Sequence, residues 1–281
     1  MFEAILLTVI TASTPLVIAA MGELVAERSG VLNLGVEGMM IIGAVCAFII
    51  TNMTGSPYLG LLAGVATGAA FSLLFGFLTL TLVANQVATG LALTILGLGV
   101  SGMVGESVVG VPGVKMQPIV IPLLSDLPLI GKVIFAQDIF FYLSIALVAG
   151  VNWYLFKSRS GLKLRAIGDS HGSAHTLGLP VIRTRYLAVM FGGACAGLAG
   201  AQLSLVYTPQ WVENMSAGRG WIALALVVFA AWRPWRLLAG GYLFGAVTIG
   251  QLHDQAFGIG LPSQFLSALP YSSTIVVQII I

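Results

Sequence analysis

Charge is what this sequence has least of. Only 8% of its 281 residues are Asp, Glu, Lys or Arg, where soluble globular domains carry roughly 25%. With 58% hydrophobic residues and a mean hydropathy of +1.02, most of the chain has no side to turn to water. That excludes a soluble domain and implies an integral membrane protein, a single polytopic unit over residues 1–281. The formal net charge of +2 is too small, and the basic residues too dispersed, for nucleic acid to be a partner. Cysteine is almost absent. Cys46 and Cys195 each lie in an apolar run, which excludes a disulfide framework and gives no metal-ligand spacing. The first ten residues, "MFEAILLTVI", contain no Lys or Arg. A signal peptide wants a basic start, so a retained first span is expected.

Long apolar runs are what the chain does have. About 20 apolar residues are needed to cross roughly 30 Å of hydrocarbon as a helix. On that ruler spans fall near 3–22, 36–52, 58–83, 86–104, 138–156, 186–207, 220–232, 237–252 and 268–281. The expected fold is therefore all-α, a polytopic helical membrane protein with about nine (eight to ten) transmembrane helices. Runs this long lack the period-two alternation of a membrane barrel. Gly64, Gly68, Ser72 and Gly76 recur at every fourth position of the third run, a spacing that lets helix backbones approach closely. Trp153, Tyr154, Trp211, Trp232 and Trp235 fall near span ends, where such rings favour the interface.

The basic residues give the orientation. Lys157, Arg159, Lys163, Arg165, Arg183 and Arg185 share one loop, and parity puts Arg28, Arg233 and Arg236 on the same side. The other side receives only Lys115, Lys132 and, at a border, Arg219. The positive-inside rule makes the richer side cytoplasmic. Residues 105–137 then form the main external loop.

Three motif matches carry no chemistry. Gly97-Leu-Gly-Val-Ser-Gly102 fits G-x-G-x-x-G but sits inside an apolar run without the preceding strand that a dinucleotide site needs. His171 and His175 are spaced i, i+4 without a third ligand nearby. Gly131-Lys132 is followed by Val133 and lacks the glycine of a Walker A loop. No catalytic residue, metal or cofactor is expected in this chain.

The unusual stretch is "RSGVLNLGVEGMM", Arg28 to Met40, which threads Asn33, Glu37 and three glycines through apolar residues. The run from Trp221 to Trp232 is too short to cross alone and is entered through "SAGRG", Ser216 to Gly220. Paired broken segments in the two halves of a chain point to a transporter's substrate path. Irregular backbone at that depth survives only when buried in protein or lining a wet cavity. Glu37 is the one strong intramembrane carboxylate. It can pair with Arg28 or Arg219, cap a helix hairpin, or line the path. Asn33, Asn85 and Gln86 offer hydrogen bonds to the polar groups of a solute, or across helices. Tyr207, Trp211 and Trp221 can stack on a solute or belong to an aromatic belt.

The loop "RSGLKLRAIGDSHGSAHTLGLPVIRTRY" holds a second signal, over cytoplasmic residues 157–185. Asp169 or Ser170 can cap a short helix. Gly178 suits the left-handed C′ position, and Pro180 blocks continuation. The result is a helix of about two turns, either a plain connector or the coupling element of a permease.

Four blocks then carry a resemblance: "GELVAERSGVLNLGVEGMM", "LRAIGDSHGSAHTLGLPV", "GGACAGLAGAQLSLVYTPQWVENMSAGRGWIALALVVFAAWRP" and "LPYSSTIVV". Together they resemble the permeases of ABC importers for nucleosides and simple sugars, a family related to the branched-chain amino acid and ribose permeases. More narrowly, the chain is similar to the smaller of the two permeases in nucleoside systems that use a binding lipoprotein. The resemblance implies a multi-pass protein of the bacterial plasma membrane. It implies an ABC ATPase subunit that binds the ATP, a second permease making a heterodimer, and an extracytoplasmic substrate-binding lipoprotein. It makes Arg165, Asp169, Ser170, Ala174, His175, Leu177 and Gly178 the candidate coupling residues. A branched-chain amino acid permease, and an ion-coupled carrier or channel built on Glu37, remain as alternatives.

Overall fold

The computed structural model describes residues 2–120, 130–257 and Ser272. The first apolar run does not stop where its hydropathy falls. It continues through "GELVAER" as α1, Phe2–Arg28. Gly30, at φ +80°, ends it: the N–H of Val31 donates to the Ala26 carbonyl and that of Gly30 to the Glu27 carbonyl, the two bonds of a Schellman motif. Six further helices follow: α2 (Val36–Thr54), α3 (Pro57–Gly76), α4 (Gln86–Gly105), α5 (Ile130–Phe135), α6 (Ile139–Lys157) and α7 (Arg159–Asp169). The rest are α8 (His171–Thr176), α9 (Val181–Gln202), α10 (Arg219–Phe229) and α11 (Pro234–Phe257). Single π-helical turns, Phe77–Thr81 and Leu203–Tyr207, extend α3 and α9.

Among the described residues six helices are long and apolar enough to cross a membrane: Glu3–Arg28, Val36–Thr54, Pro57–Thr81, Gln86–Val108, Ile139–Lys157 and Val181–Tyr207. The all-α polytopic fold is as expected, but the count of nine is not. The seventh expected span is α10, an eleven-residue half-helix. The eighth is α11, whose 24 residues are diluted by Arg236, Gln251, His253 and Asp254. The ninth, near 268–281, lies outside the described residues. The segment between α4 and α6 also carries a small departure from an all-helical chain. Strands β1 (Ile119–Val120) and β2 (Ala136–Gln137) pair antiparallel, Ile119 opposite Gln137. Asp138 caps α6 by accepting from the Phe141 N–H. Burial raises its carboxyl above the usual range, against that bond and the charge of Lys115.

The core is packed by backbone proximity. All four small residues of α3 face α9 or its first turn: Gly64 meets Ala201 and Gly197, Gly68 meets Gly193 and Gly197, Ser72 meets Gly193, and Gly76 meets Tyr186. A Cβ on Gly68 or Gly197 would overlap the opposite main chain. The glycines of the false dinucleotide motif serve the same end, since Gly97 of α4 lies against Gly38 of α2. Without a hydrophobic drive between helices in lipid, such close packing supplies the attraction.

Arg28, Arg185 and the α7 helix gather at one end, as the charge pattern requires. Arg185 Nε donates to the Ser29 carbonyl at 3.0 Å, and Gly168 packs directly on the Arg28 carbonyl. At the other end the segment before β1 is tied to the end of α9, the Met116 N–H donating to the Leu205 carbonyl at 3.1 Å. The tryptophans divide. Trp153 and Trp235 are exposed, but Trp211 is buried against Phe48 and Ala44. Gly105 makes room for its indole.

Candidate functional site: a capped half-helix inside the bundle

Residues 29–35 are irregular chain, and their polar groups are met from several helices. Leu32 N–H donates to Gln86 Oε1 at 2.9 Å and Asn33 N–H to Glu23 Oε1 at 2.9 Å. The Gly35 N–H donates to Asn33 Oδ1 at 3.0 Å, and Thr94 Oγ1 donates to the Leu34 carbonyl at 3.1 Å. This is how irregular backbone is held where water is scarce. α2 therefore begins inside the bundle.

α10 begins inside it too. Eleven residues make about 16 Å of helix at 1.5 Å per residue, half of the ~30 Å hydrocarbon layer. Its far end is fixed at the Arg28 end of the bundle, where Trp232 Nε1 donates to Glu27 Oε2 at 2.5 Å and the Arg28 guanidinium lies over the same indole. Its N-terminus then lies inside the bundle, about 16 Å from that end. Residues 208–218 lead to it from the C-terminal end of α9, with Asn214, Ala217 and Gly218 in left-handed conformations.

Glu37 closes this N-terminus. Its Oε1 accepts from Ser216 Oγ at 2.5 Å and from the Gly218 N–H at 2.8 Å, and its Oε2 from the Gly220 N–H at 2.6 Å. The first amides of a helix have no partner within it and carry the positive end of its dipole. A carboxylate satisfies both needs. Of the partners open to Glu37, the helix cap is realised and the ion pair with Arg219 is not. Arg219 turns its guanidinium to the Met215 and Ser216 carbonyls, 3.1 and 3.4 Å away, and over the Tyr207 ring at 4.8 Å. The backbone donors of α10 reach the carboxylate first because Gly220 has no side chain to hold it off.

The remaining path candidates fall into two groups. Asn85 and Gln86 lie near the Arg28 end of the bundle: Asn85 caps α4 through the Ala88 N–H, and Gln86 holds Leu32. Asn33 is fully buried and its amide contacts Met39 Sδ at 3.4 Å. Tyr207 and Arg219 form a half-buried pair above the α10 N-terminus, with Trp221 half-buried on the first turn. Trp211 is sealed in the core and has no open face for stacking. Two carboxylates were missed. Glu23, wholly buried, holds Asn33, and Glu27 holds Trp232, so Glu37 is not alone. Their signal was the i, i+4 pair in "GELVAER" directly before the irregular stretch.

In the candidate coupling loop Ser170, not Asp169, caps α8, its Oγ accepting from the Ser173 N–H at 3.3 Å; Asp169 ends α7. Gly178 has φ +74°. Its N–H donates to the His175 carbonyl and that of Leu179 to the Ala174 carbonyl, a second Schellman stop. His175 and Leu177 point outward, Leu177 with 79% of its surface exposed. Ala174 is buried, and Arg165 folds inward over the Phe156 ring at 5.2 Å.

Antiparallel apolar helices, two segments broken at depth and a carboxylate joining them define a polytopic membrane permease. The chain belongs to the family described as the permease component of branched-chain amino acid transport systems, which matches residues 5–280. It is 43% identical to a putative glucose ABC transporter permease protein, TsgC13, of Haloferax volcanii, over 95% of this chain and 88% of that protein. It is 33% identical to the guanosine ABC transporter permease protein NupQ of Bacillus subtilis, over 94% of this chain and 87% of that one. The same identity relates it to the nucleoside ABC transporter permease protein NupC of Lactococcus lactis, over 94% and 88%. The chain is thus a permease subunit of an ABC transporter and is not itself the catalytic subunit.

Proposed function

We propose that this permease carries neutral nucleosides, with simple sugars as the second substrate class, inward across a bacterial plasma membrane. ATP is bound and hydrolysed by a separate ATPase seated under α7 and α8. A second permease lies beside the chain, and an extracytoplasmic binding lipoprotein delivers substrate from above. The names of the relatives support both substrate classes. The observation that carries the choice is the cap at Glu37. Half-helix N-termini at mid-membrane serve in transporters as sites for anionic substrate groups, and here that site is filled by the protein's own carboxylate. An amino acid's carboxylate would meet negative charge and amides already engaged. A neutral, hydroxyl-rich solute meets no such penalty. An ion-coupled carrier is less well supported, because the oxygens of Glu37 already hold Ser216, Gly218 and Gly220.

The test is uptake by cells from which this chain has been deleted and then restored. Restoration should recover labelled uridine or guanosine uptake, with unlabelled glucose competing more weakly and leucine not at all. Recovery of leucine uptake, or equal competition by leucine, would overturn the assignment.

A further inference from the structure

A cleft of about 720 Å³ that shares no residue with the Glu37 cap lies between α6 and α9, with Val25 of α1 on its wall. Its length is informative. On α6 it runs from Leu143 to Tyr154 and on α9 from Pro180 to Phe191. Each is about 16 Å of helix, the depth of one leaflet of a ~30 Å hydrocarbon layer. Its walls are apolar along that depth, with Leu147, Gly150 and Phe191 among them. At the cytoplasmic mouth they give way to Ser160, Lys163 and Arg183, and no acidic side chain lines the cleft among the described residues. Both cations are exposed. Gly150 faces open space: a Cβ placed there meets nothing within 4 Å.

We propose that this cleft is a binding site for one phospholipid of the cytoplasmic leaflet with an anionic headgroup. The phosphate lies between Lys163 and Arg183, with the Ser160 hydroxyl beside them, and an acyl chain follows the groove past Gly150. Basic mouths of apolar clefts on the cytoplasmic side attract anionic headgroups, each nearby Lys or Arg contributing about a fivefold preference. The length match separates this from a loose surface patch, since the charged and apolar parts are spaced as in a lipid. The site is independent of the transported substrate.

Native mass spectrometry of the full chain in its assembled transporter tests this, after release from micelles holding equal phosphatidylglycerol and phosphatidylcholine. One retained phosphatidylglycerol is expected, favoured about 25-fold over phosphatidylcholine, and excess inorganic phosphate should not displace it. The exposed double substitution Lys163→Gln/Arg183→Gln should abolish the preference. Gly150→Phe should exclude both lipids at unchanged melting temperature, because its ring enters open space. Equal retention of the two lipids, or a preference unchanged in the Gln/Gln variant, would overturn the proposal. So would an efficient cross-link in native membranes between a cysteine at Gly150 and one in residues 258–281 or in a neighbouring subunit, which would show protein filling the cleft.

Discussion

The Gly220 N–H lies 2.6 Å from the Glu37 carboxylate, and a Cβ on Gly220 would stand 2.7 Å from the Glu37 Cα. These residues are 183 positions apart, so one short contact fastens the broken segment of the first half of the chain to that of the second. A glycine is required because the two backbones approach too closely for any side chain.

Gly220→Ala tests this through its sign. In an ordinary helix the change stabilises by about 0.8–1 kcal/mol. Here it should lower the melting temperature in detergent and reduce uptake, because the methyl group pushes Glu37 off the α10 amides. A stabilised, fully active Gly220→Ala variant would show that the approach is looser than described.

Arg219 should matter less than its charge suggests. Its ring contact with Tyr207 is worth about 0.5–2 kcal/mol, and it does not neutralise Glu37. Arg219→Gln should therefore cost little stability, and it should not rescue Glu37→Gln. Recovery of uptake in the double variant relative to Glu37→Gln alone would restore the ion pair.

How much of this was readable in the sequence depends on which atoms do the work. The i, i+4 run Gly64, Gly68, Ser72 and Gly76 was legible as a packing face, because only small side chains permit what α3 and α9 do. The half-helix was legible because Trp221–Trp232 is too short to cross. The partners of Glu37 were not, since two of its three donors are backbone amides, which every residue except proline has, and the third is the hydroxyl of Ser216, 179 positions away. Glu23 and Glu27 were missed because hydropathy ends α1 at 22, while its Schellman stop lies at Gly30. Span count failed at α10 for the same reason that the broken segment was noticed.

The exposed face of the candidate coupling loop should be separable from its packed face. Leu177→Asp should lower co-purification of the ATPase and ATP-driven uptake by about tenfold or more, the loss expected on truncating an interface anchor of 1.4 kcal/mol or more, with an unchanged melting temperature. Ala174→Arg should instead destabilise the loop, because Ala174 is buried. Normal ATPase assembly with Leu177→Asp would remove α8 from the interface.

Lys115 is exposed, on the loop expected to be external. In a Cys46→Ser background, Lys115→Cys should react with an impermeant thiol reagent added to intact spheroplasts. Labelling seen only after lysis would invert the orientation.

The cap itself is tested most directly by a double-mutant cycle of Glu37→Gln and Ser216→Ala, read as melting temperature and uptake. Glu37→Gln leaves one carbonyl oxygen where three donors converge, and each orphaned buried donor costs about 1–3 kcal/mol. It should be severe alone, and adding Ser216→Ala should cost less than Ser216→Ala does in the wild type, because the bond is already broken. Strict additivity, with uptake by Glu37→Gln undiminished, would contradict a carboxylate-held half-helix at the centre of this permease.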